Sequence, residues 1–401
     1  MFHRNLFIAD LHADTLLWNR DLLARGRFGH TDVPRFRVGG VDLQVLAAVT
    51  QTPLERRLRH DPEGRSHCSS GDDLNMAALL SIVQMRPLPT WFDRRARALH
   101  QAERLHAAAK RSREGGTEIV ILKDASDLRR LVTIERAGRD VMGALLALEG
   151  THWIGEASDD PALAQQEVQR LFDAGFRMLA LTHRFDNALA GSSEGCTRGG
   201  LTETGRVVLG KALDLGMVID LAHLSPAALE DTLRFMEDRR GVGRRASPPV
   251  VSHTGVQKSC SGRCERHRNL SAAEVLRVAA LDGVIGIGFW PEAVGSEGKA
   301  SILRAFAEAA ATLRRDGLDP WNHLAFGSDY DGAVEVPFDV GGLPSLTHAL
   351  LQGGQGAPPV PLDALARIAG ANVCRVLATG LPGGSAATAS GICDPLRRPP
   401  L

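Results

Sequence analysis

Apolar residues along the chain fall into short runs separated by longer stretches of helical spacing. Leu6–Ala9, Val41–Val49, Val141–Leu148, Met178–Leu181, Val218–Leu221, Val250–Val251, Val284–Phe289 and Leu324–Gly327 are nearly continuous rather than alternating. That is the pattern of parallel strands covered on both faces. Between them, Asp160–Ala174, Glu203–Leu215, Pro226–Glu237, Ser271–Leu281, Ser301–Asp316 and Leu362–Leu377 carry apolar residues on one helical stripe. Thr202 before Glu203 and Ser225 before Pro226 are good helix caps, and Ser271 with Glu274 has capping-box spacing.

Strand and helix signals alternate through eight strands, which predicts an α/β chain folded as a distorted (β/α)8 TIM barrel. The gap of about ninety residues between Val49 and Val141 exceeds an ordinary barrel connection. It is read as a helical insertion over 51–140, within a single domain spanning 1–380. Its basic stretch Asp93–Arg113 is expected to be a solvated helix face. Gly353–Pro361 and the tail over 381–401 are rich in Gly, Pro, Ala and Ser and read as loops.

Composition narrows the function classes. The 401 residues carry 47 basic and 47 acidic side chains, a balance that argues against a nucleic-acid partner. No apolar run has the length of a membrane span, so no membrane partner is expected either. Asp10 comes too early for a signal-peptide core, and the expectation is a soluble, cytoplasmic protein. In that setting Cys68, Cys196, Cys260, Cys264, Cys374 and Cys393 are expected to be reduced structural thiols.

Nearly every strand run ends in a residue capable of chemistry. His12 and Asp14 stand two apart, so on a strand they project to one face and can share one ion. Their imidazole–carboxylate mix suits zinc or a similar divalent cation. Glu149 closes the third barrel run, and its two oxygens can bridge two cations. His223 and His253 end consecutive strands and supply two more imidazoles. Shared through Glu149, the two sets could hold metals about 3.5–4 Å apart. His183 is then a spare donor suited to a developing oxyanion. Asp329 and Asp331 close the last strand, where a carboxylate could shuttle protons. Arg268 could pair with a substrate carboxylate. Singly, each residue has a plainer reading: a strand-end hydrogen-bonding group for Asp10, a satisfied polar residue for a lone His, a surface cation for Arg268. His152 stays ambiguous.

Taken in order, Asp10-Leu-His-Ala-Asp14, Leu148-Glu-Gly150, Leu181-Thr-His183, Asp220-Leu-Ala-His-Leu-Ser225, Val250-Val-Ser-His253, Arg268-Asn269 and Gly327-Ser-Asp-Tyr-Asp-Gly332 resemble the renal (membrane) dipeptidase family, in the form of a bacterial cytosolic member. Phe36–Asp42 and Ile368–Val373 add to the match, which runs from about residue 6 to 378. The resemblance implies a distorted (β/α)8 barrel with two zinc ions. His12 and Asp14 would hold one, His223 and His253 the other, and Glu149 both. It further implies that His183 contacts the substrate carbonyl, that Arg268 with Asn269 binds the substrate carboxylate, and that Asp329, supported by Asp331, is the acid/base. The implied activity is hydrolysis of dipeptides, with a D-residue tolerated at the carboxyl side, by a metal-bridging hydroxide. The alternative is a metal-dependent amidohydrolase acting on another small amide, lactam or lactone. Family habit points to a homodimer. The Arg/Cys-rich segment Gly255–His267 and the Ser66–Asp73 region depart from the family pattern.

Overall fold

The computed structural model describes residues 2–53, 68, 69, 71, 74–156, 158–257 and 267–393. The Cys260/Cys264 pair, most of Ser66–Asp73 and the last residues of the tail lie outside them. Nine parallel strands make one sheet: β1 (Ile8–Ala13), β2 (Val41–Val49), β3 (Glu118–Ile121), β4 (Val141–Glu149), β5 (Met178–Ala180), β6 (Val218–Asp220), β7 (Val250–Thr254), β8 (Val284–Ile287) and β9 (Leu324–Phe326). Their order is β2-β1-β9-β8-β7-β6-β5-β4-β3, and a further pairing of β2 with β4 closes eight of them into a barrel. The predicted (β/α)8 barrel is therefore the fold.

The ninth strand was not expected. β3 lies inside the insertion and pairs with Val141–Ala144 of β4, whose later residues Ala147–Glu149 pair with β5. Since β2 occupies the other edge of β4, β3 extends below β5 on the same edge. The insertion thus holds a strand as well as helices.

Continuous apolar runs are needed because both faces of the strands are covered. All nine residues of β2 and all nine of β4 are buried. Successive residues serve different layers: Leu43, Val45 and Ala47 join one apolar cluster, and Leu46 and Ala48 the other. The capping expectations hold. Thr202 accepts from the Gly205 amide, Ser225 from Ala228, and Ser271 and Glu274 complete a reciprocal box. The late helix is not continuous, however. It runs Leu362–Ala366, opens into a π-turn at Arg367–Ala371, and resumes as Asn372–Gly380. At Gly370 a Cβ would lie 2.3 Å from the Phe7 carbonyl oxygen, so the backbones meet where a side chain has no room.

The basic helix Arg94–Ser112 is only partly a solvated face. Arg97 is buried, donating to the carbonyls of Thr50 and Thr90 at 2.7 Å each. Gln101 donates to Val49 at 2.8 Å, and Arg104 to Leu16 and Trp18 at 2.7 Å each. Chain ends of β1 and β2 leave carbonyls without sheet partners, and this helix supplies the donors.

The thiol expectation is corrected for four cysteines. Cys68 is bonded to Cys196, 128 residues on, and Cys374 to Cys393. Folding brings their Cα atoms to 4.6 and 5.8 Å, a proximity that spacing alone does not reveal. Disulfides are rare where glutathione keeps thiols reduced, so both pairs weigh against the cytoplasmic expectation. The tail expected as loop contains a helix, Ala386–Cys393, which the second disulfide fastens to the helix before it. No helix among the described residues is long and apolar enough to cross a membrane.

The Cys374–Cys393 bond closes a short loop, so replacing both residues with Ser is expected to cost about 2–4 kcal/mol. The thermal midpoint should fall accordingly, and an unchanged midpoint in the double variant would show that the staple carries no stability.

Candidate active site

Chemistry-bearing residues gather at the carboxyl ends of the barrel strands, the end where barrel loops build sites. Glu149 is the last residue of β4, His12 is in β1 and His253 in β7. His183 and His223 follow β5 and β6 by three residues, as Asp329 follows β9. His223 and Asp329 adopt left-handed backbone at φ +64 and +60. Non-glycine residues rarely hold that conformation unless the surroundings impose it, and such positions concentrate at functional sites.

The side chains converge on Glu149. Its Oε1 lies 3.0 Å from His223 Nε2, 3.5 Å from His253 Nε2 and 3.7 Å from His12 Nε2. Its Oε2 is 3.6 Å from His183 Nε2. His12 Nε2 also faces Asp14 at 3.4 Å and Asp329 at 3.9 Å. Three groups have ligand atoms within 4.8 Å of one another: His12 with Glu149 and His253, Glu149 with His183 and His223, and His12 with Asp14 and Asp329. All five residues expected to bind metal are in these groups, and so are His183 and Asp329. His183 is thus near enough to Glu149 to serve as a ligand as well as a substrate contact.

The donor set fits cations. The Nε2 atoms of His223 and His253 approach to 3.0 Å. Burial, then the Arg268 guanidinium, pushes the His223 imidazole well down, and burial followed by His12 does the same to His253. Neutral imidazoles turned toward one another and toward carboxylate oxygens bring lone pairs together, which a shared cation relieves. His12 Nε2, Asp14 Oδ1 and Glu149 Oε2 are buried without hydrogen-bond partners. Buried polar atoms left so are rare in folded proteins. Burial raises the Asp14 and Asp329 carboxyls to about 8 and pushes Glu149 well above its usual range, since each favours its neutral form away from water.

Neighbours hold these groups in place. Ser252 Oγ lies 2.8 Å from His253 Nδ1 and 3.4 Å from His12 Nδ1. His183 Nδ1 lies 3.0 Å from the Gln51 carbonyl oxygen, next to the Thr50 carbonyl that Arg97 holds. The insertion therefore orients a site imidazole. Burial, then Arg184, takes His183 down to about 3. Arg268 is buried, donates to the His253 carbonyl at 2.7 Å and lies 3.4 Å from His223 Nε2, with its guanidinium 5.7 Å from the Trp290 ring.

Asp331, Asn269 and His152 have partners outside the cluster. Asp331 accepts from the His30 amide at 2.7 Å, and from Arg20 and Thr31, so it anchors the loop after β1 rather than supporting Asp329. Asn269 donates its amide to the carbonyls of Glu292 and Ala293 at 3.3 and 2.9 Å, fastening two loops, while its buried Oδ1 has no hydrogen-bond partner among the described residues. His152 stacks on Phe185 at 4.2 Å and meets Asn187 at 3.2 Å, a buried wall beside His183. Asp10 keeps its plainer reading, accepting from the Ser328 amide and hydroxyl at 2.9 and 2.7 Å and from Gln44 at 2.8 Å. Sequence reasoning passed over Glu194 and the supporting role of Ser252. A loop acid and a strand serine carry no periodic or spacing signal.

The sequence profile of the membrane dipeptidase family (peptidase family M19) matches residues 2–380. The chain belongs to this family. Among its relatives are an uncharacterized dipeptidase, C3A11.10c, of Schizosaccharomyces pombe, 27% identical over 60% of this chain and 54% of that protein. The dipeptidase aclJ of Aspergillus oryzae is 29% identical over 59% and 51%. The family member described here thus spans about half the length of the curated relatives it matches. A metallo peptidase from Rhodobacter sphaeroides, solved with a phosphinate mimic of the dipeptide L-Ala-D-Ala, is 21% identical at a TM-score of 0.65, covering 92% of this chain and 97% of that one. An amidohydrolase from Pseudomonas aeruginosa is 14% identical at a TM-score of 0.62, over 94% and 97%. At those identities the likeness is one of fold.

The two aspartates of the last strand end should separate experimentally. Asp331→Ala strips buried partners from Thr31, the His30 amide and part-buried Arg20, and is expected to cost about 2–4 kcal/mol. Its metal content should persist in the folded fraction. Equal stability of variant and parent in urea titration would contradict the anchoring role.

Proposed function

We propose that this chain is a binuclear zinc dipeptidase acting on dipeptides with a free carboxyl terminus. The carrying observation is the convergence of His12, His223 and His253 on Glu149, with Asp14 facing His12, in a member of the membrane dipeptidase family. Imidazole and carboxylate ligands suit zinc, and the sharing of Glu149 suits two ions. Bound there, a pair of divalent cations supplies activation of a water molecule and polarisation of the scissile carbonyl.

The remaining roles belong to this chain's own side chains. His183, fixed through Nδ1 at the Gln51 carbonyl, presents Nε2 to the centre, where a hydrogen-bond donor stabilises negative charge developing on the carbonyl oxygen. Asp329 sits 3.9 Å from His12 Nε2 with a carboxyl raised to about 8, suited to taking a proton from water and returning it to the leaving amine. Arg268 presents its guanidinium beside His223 and pairs with the substrate carboxylate, which restricts the enzyme to short peptides. Tolerance of a D-residue at the carboxyl side draws support from the Rhodobacter sphaeroides neighbour, which holds a mimic of L-Ala-D-Ala.

Elemental analysis of the purified protein is expected to find two zinc ions per chain. Chelation should abolish dipeptide hydrolysis and zinc restore it. One ion per chain would remove Glu149 from a bridging role. Asp329→Asn is expected to lower kcat by about 10²–10⁴ with zinc content unchanged, as loss of an acid/base does. A panel of L,L- and L,D-dipeptides, N-acyl amino acids and lactones tests the substrate class. Turnover of dipeptides no better than of the other compounds would replace the dipeptidase reading with that of a broader amidohydrolase.

A further inference from the structure

Glu194 lies outside the three ligand groups, in the loop between β5 and the helix Glu203–Leu215, yet it is buried against one of them. Its Oε2 faces His223 Nδ1 at 3.4 Å, and its Oε1 accepts from Arg184 Nε at 3.1 Å. The other edge of the His223 ring meets Glu149 Oε1 and His253 Nε2, each at 3.0 Å. His223 therefore spans the distance between a carboxylate inside the cluster and one outside it.

Nε2 is the nitrogen turned to the cluster, facing Glu149 Oε1, His253 Nε2 and, at 3.4 Å, Arg268 Nη2, and in a metal centre its lone pair is the one a cation would take. The hydrogen then belongs on Nδ1, the nitrogen that faces Glu194. Arg184 places a positive charge beside Glu194 and holds its carboxylate in place through the contact with Oε1. A carboxylate opposite the second nitrogen of a ligand His fixes both the tautomer and the ring plane.

The backbone around Glu194 is held as well. Its amide donates to Ser192 Oγ at 3.2 Å, and Ser192 Oγ in turn donates to the His183 carbonyl at 2.6 Å. The Ser193 amide donates to the His223 carbonyl at 2.8 Å, gripping the residue with left-handed backbone. From the other side, the Ser69 amide donates to the Glu194 carbonyl at 2.9 Å, and the Cys68–Cys196 disulfide ties the two segments together.

We propose that Glu194 is the positioning residue of His223, setting its ring for metal binding from the outer side. The proposal rests on the reading of His223 as a metal ligand. The test is titration of chelator-stripped protein with zinc against a chromophoric competitor, repeated with cobalt to record its absorption spectrum, for the parent, Glu194→Ala and Glu194→Gln. In Glu194→Ala one of two equivalents should weaken about 10–100-fold while the other stays near its parent affinity, as for loss of an outer-shell carboxylate. Glu194→Gln, whose amide oxygen can face Nδ1 without the charge, should show the same split with a smaller loss and an altered cobalt spectrum. Parent-like titration and spectra in both variants would overturn the proposal. So would equal weakening of both equivalents, which marks general loosening of the fold. A parent that takes up two ions but hydrolyses no dipeptide, with the expected split seen in Glu194→Ala, would sink the functional reading and leave the role of Glu194 standing. A parent that binds no second ion would sink both.

Discussion

A buried carboxylate among imidazoles that burial keeps neutral is the constraint from which the rest of this structure follows. Glu149 is 3% exposed, and three imidazole nitrogens stand 3.0 to 3.7 Å from one of its oxygens. Ionised groups removed from water need compensation, or they take up protons and go neutral. His183, His223 and His253 are all driven down by the same burial that drives Glu149 up, so these four groups do not neutralise one another. The arrangement makes sense as a container for positive charge, with carboxylates and lone pairs turned inward and the hydrogen-bonding partners placed outside.

The barrel makes that container possible. Eight parallel strands bring residues far apart in the chain to one rim, and closure between β2 and β4 puts Glu149 opposite the residues of β1 and β7. Backbone pairing around the closed barrel gives residues at the strand ends a rigid base. The departures from regular backbone sit just past that base, where His223, Asp329 and Asp331 hold left-handed conformations. Each is fixed by a hydrogen-bonded neighbour: Ser193 at His223, the Asp329–Gly332 turn, and the ring of donors around Asp331. Strain is tolerated there because side-chain and loop contacts outvote the local preference.

The insertion and the loop after β5 are parts of the site's support. Arg97 and Gln101 fasten the end of β2, whose continuation carries the Gln51 carbonyl opposite His183. The loop through Ser192, Ser193 and Glu194 reaches both His183 and His223 and is itself stapled to the insertion through Cys68. A basic helix and a pair of cysteines that look peripheral in sequence thus set the geometry of the central imidazoles.

Local pattern decided a large part of this protein. The apolar runs, the caps at Thr202, Ser225 and Ser271, and the order of His12, Asp14, Glu149, His183, His223, His253 and Asp329 at strand ends are all consequences of short-range rules. A strand buried on both faces must be apolar, and the polar residue that follows it must lie on the rim. Tertiary structure alone decided what depends on distance through space. β3 is too short a run to separate from its helical surroundings, and it exists because β4 offers an open edge. The 128-residue separation of Cys68 and Cys196, the inward turn of Arg97, the different partners of Asp329 and Asp331, and the approach of Glu194 to His223 follow from packing of segments far apart in the chain. Periodicity describes the faces a segment presents, but the partner that covers each face is chosen only when the whole barrel closes.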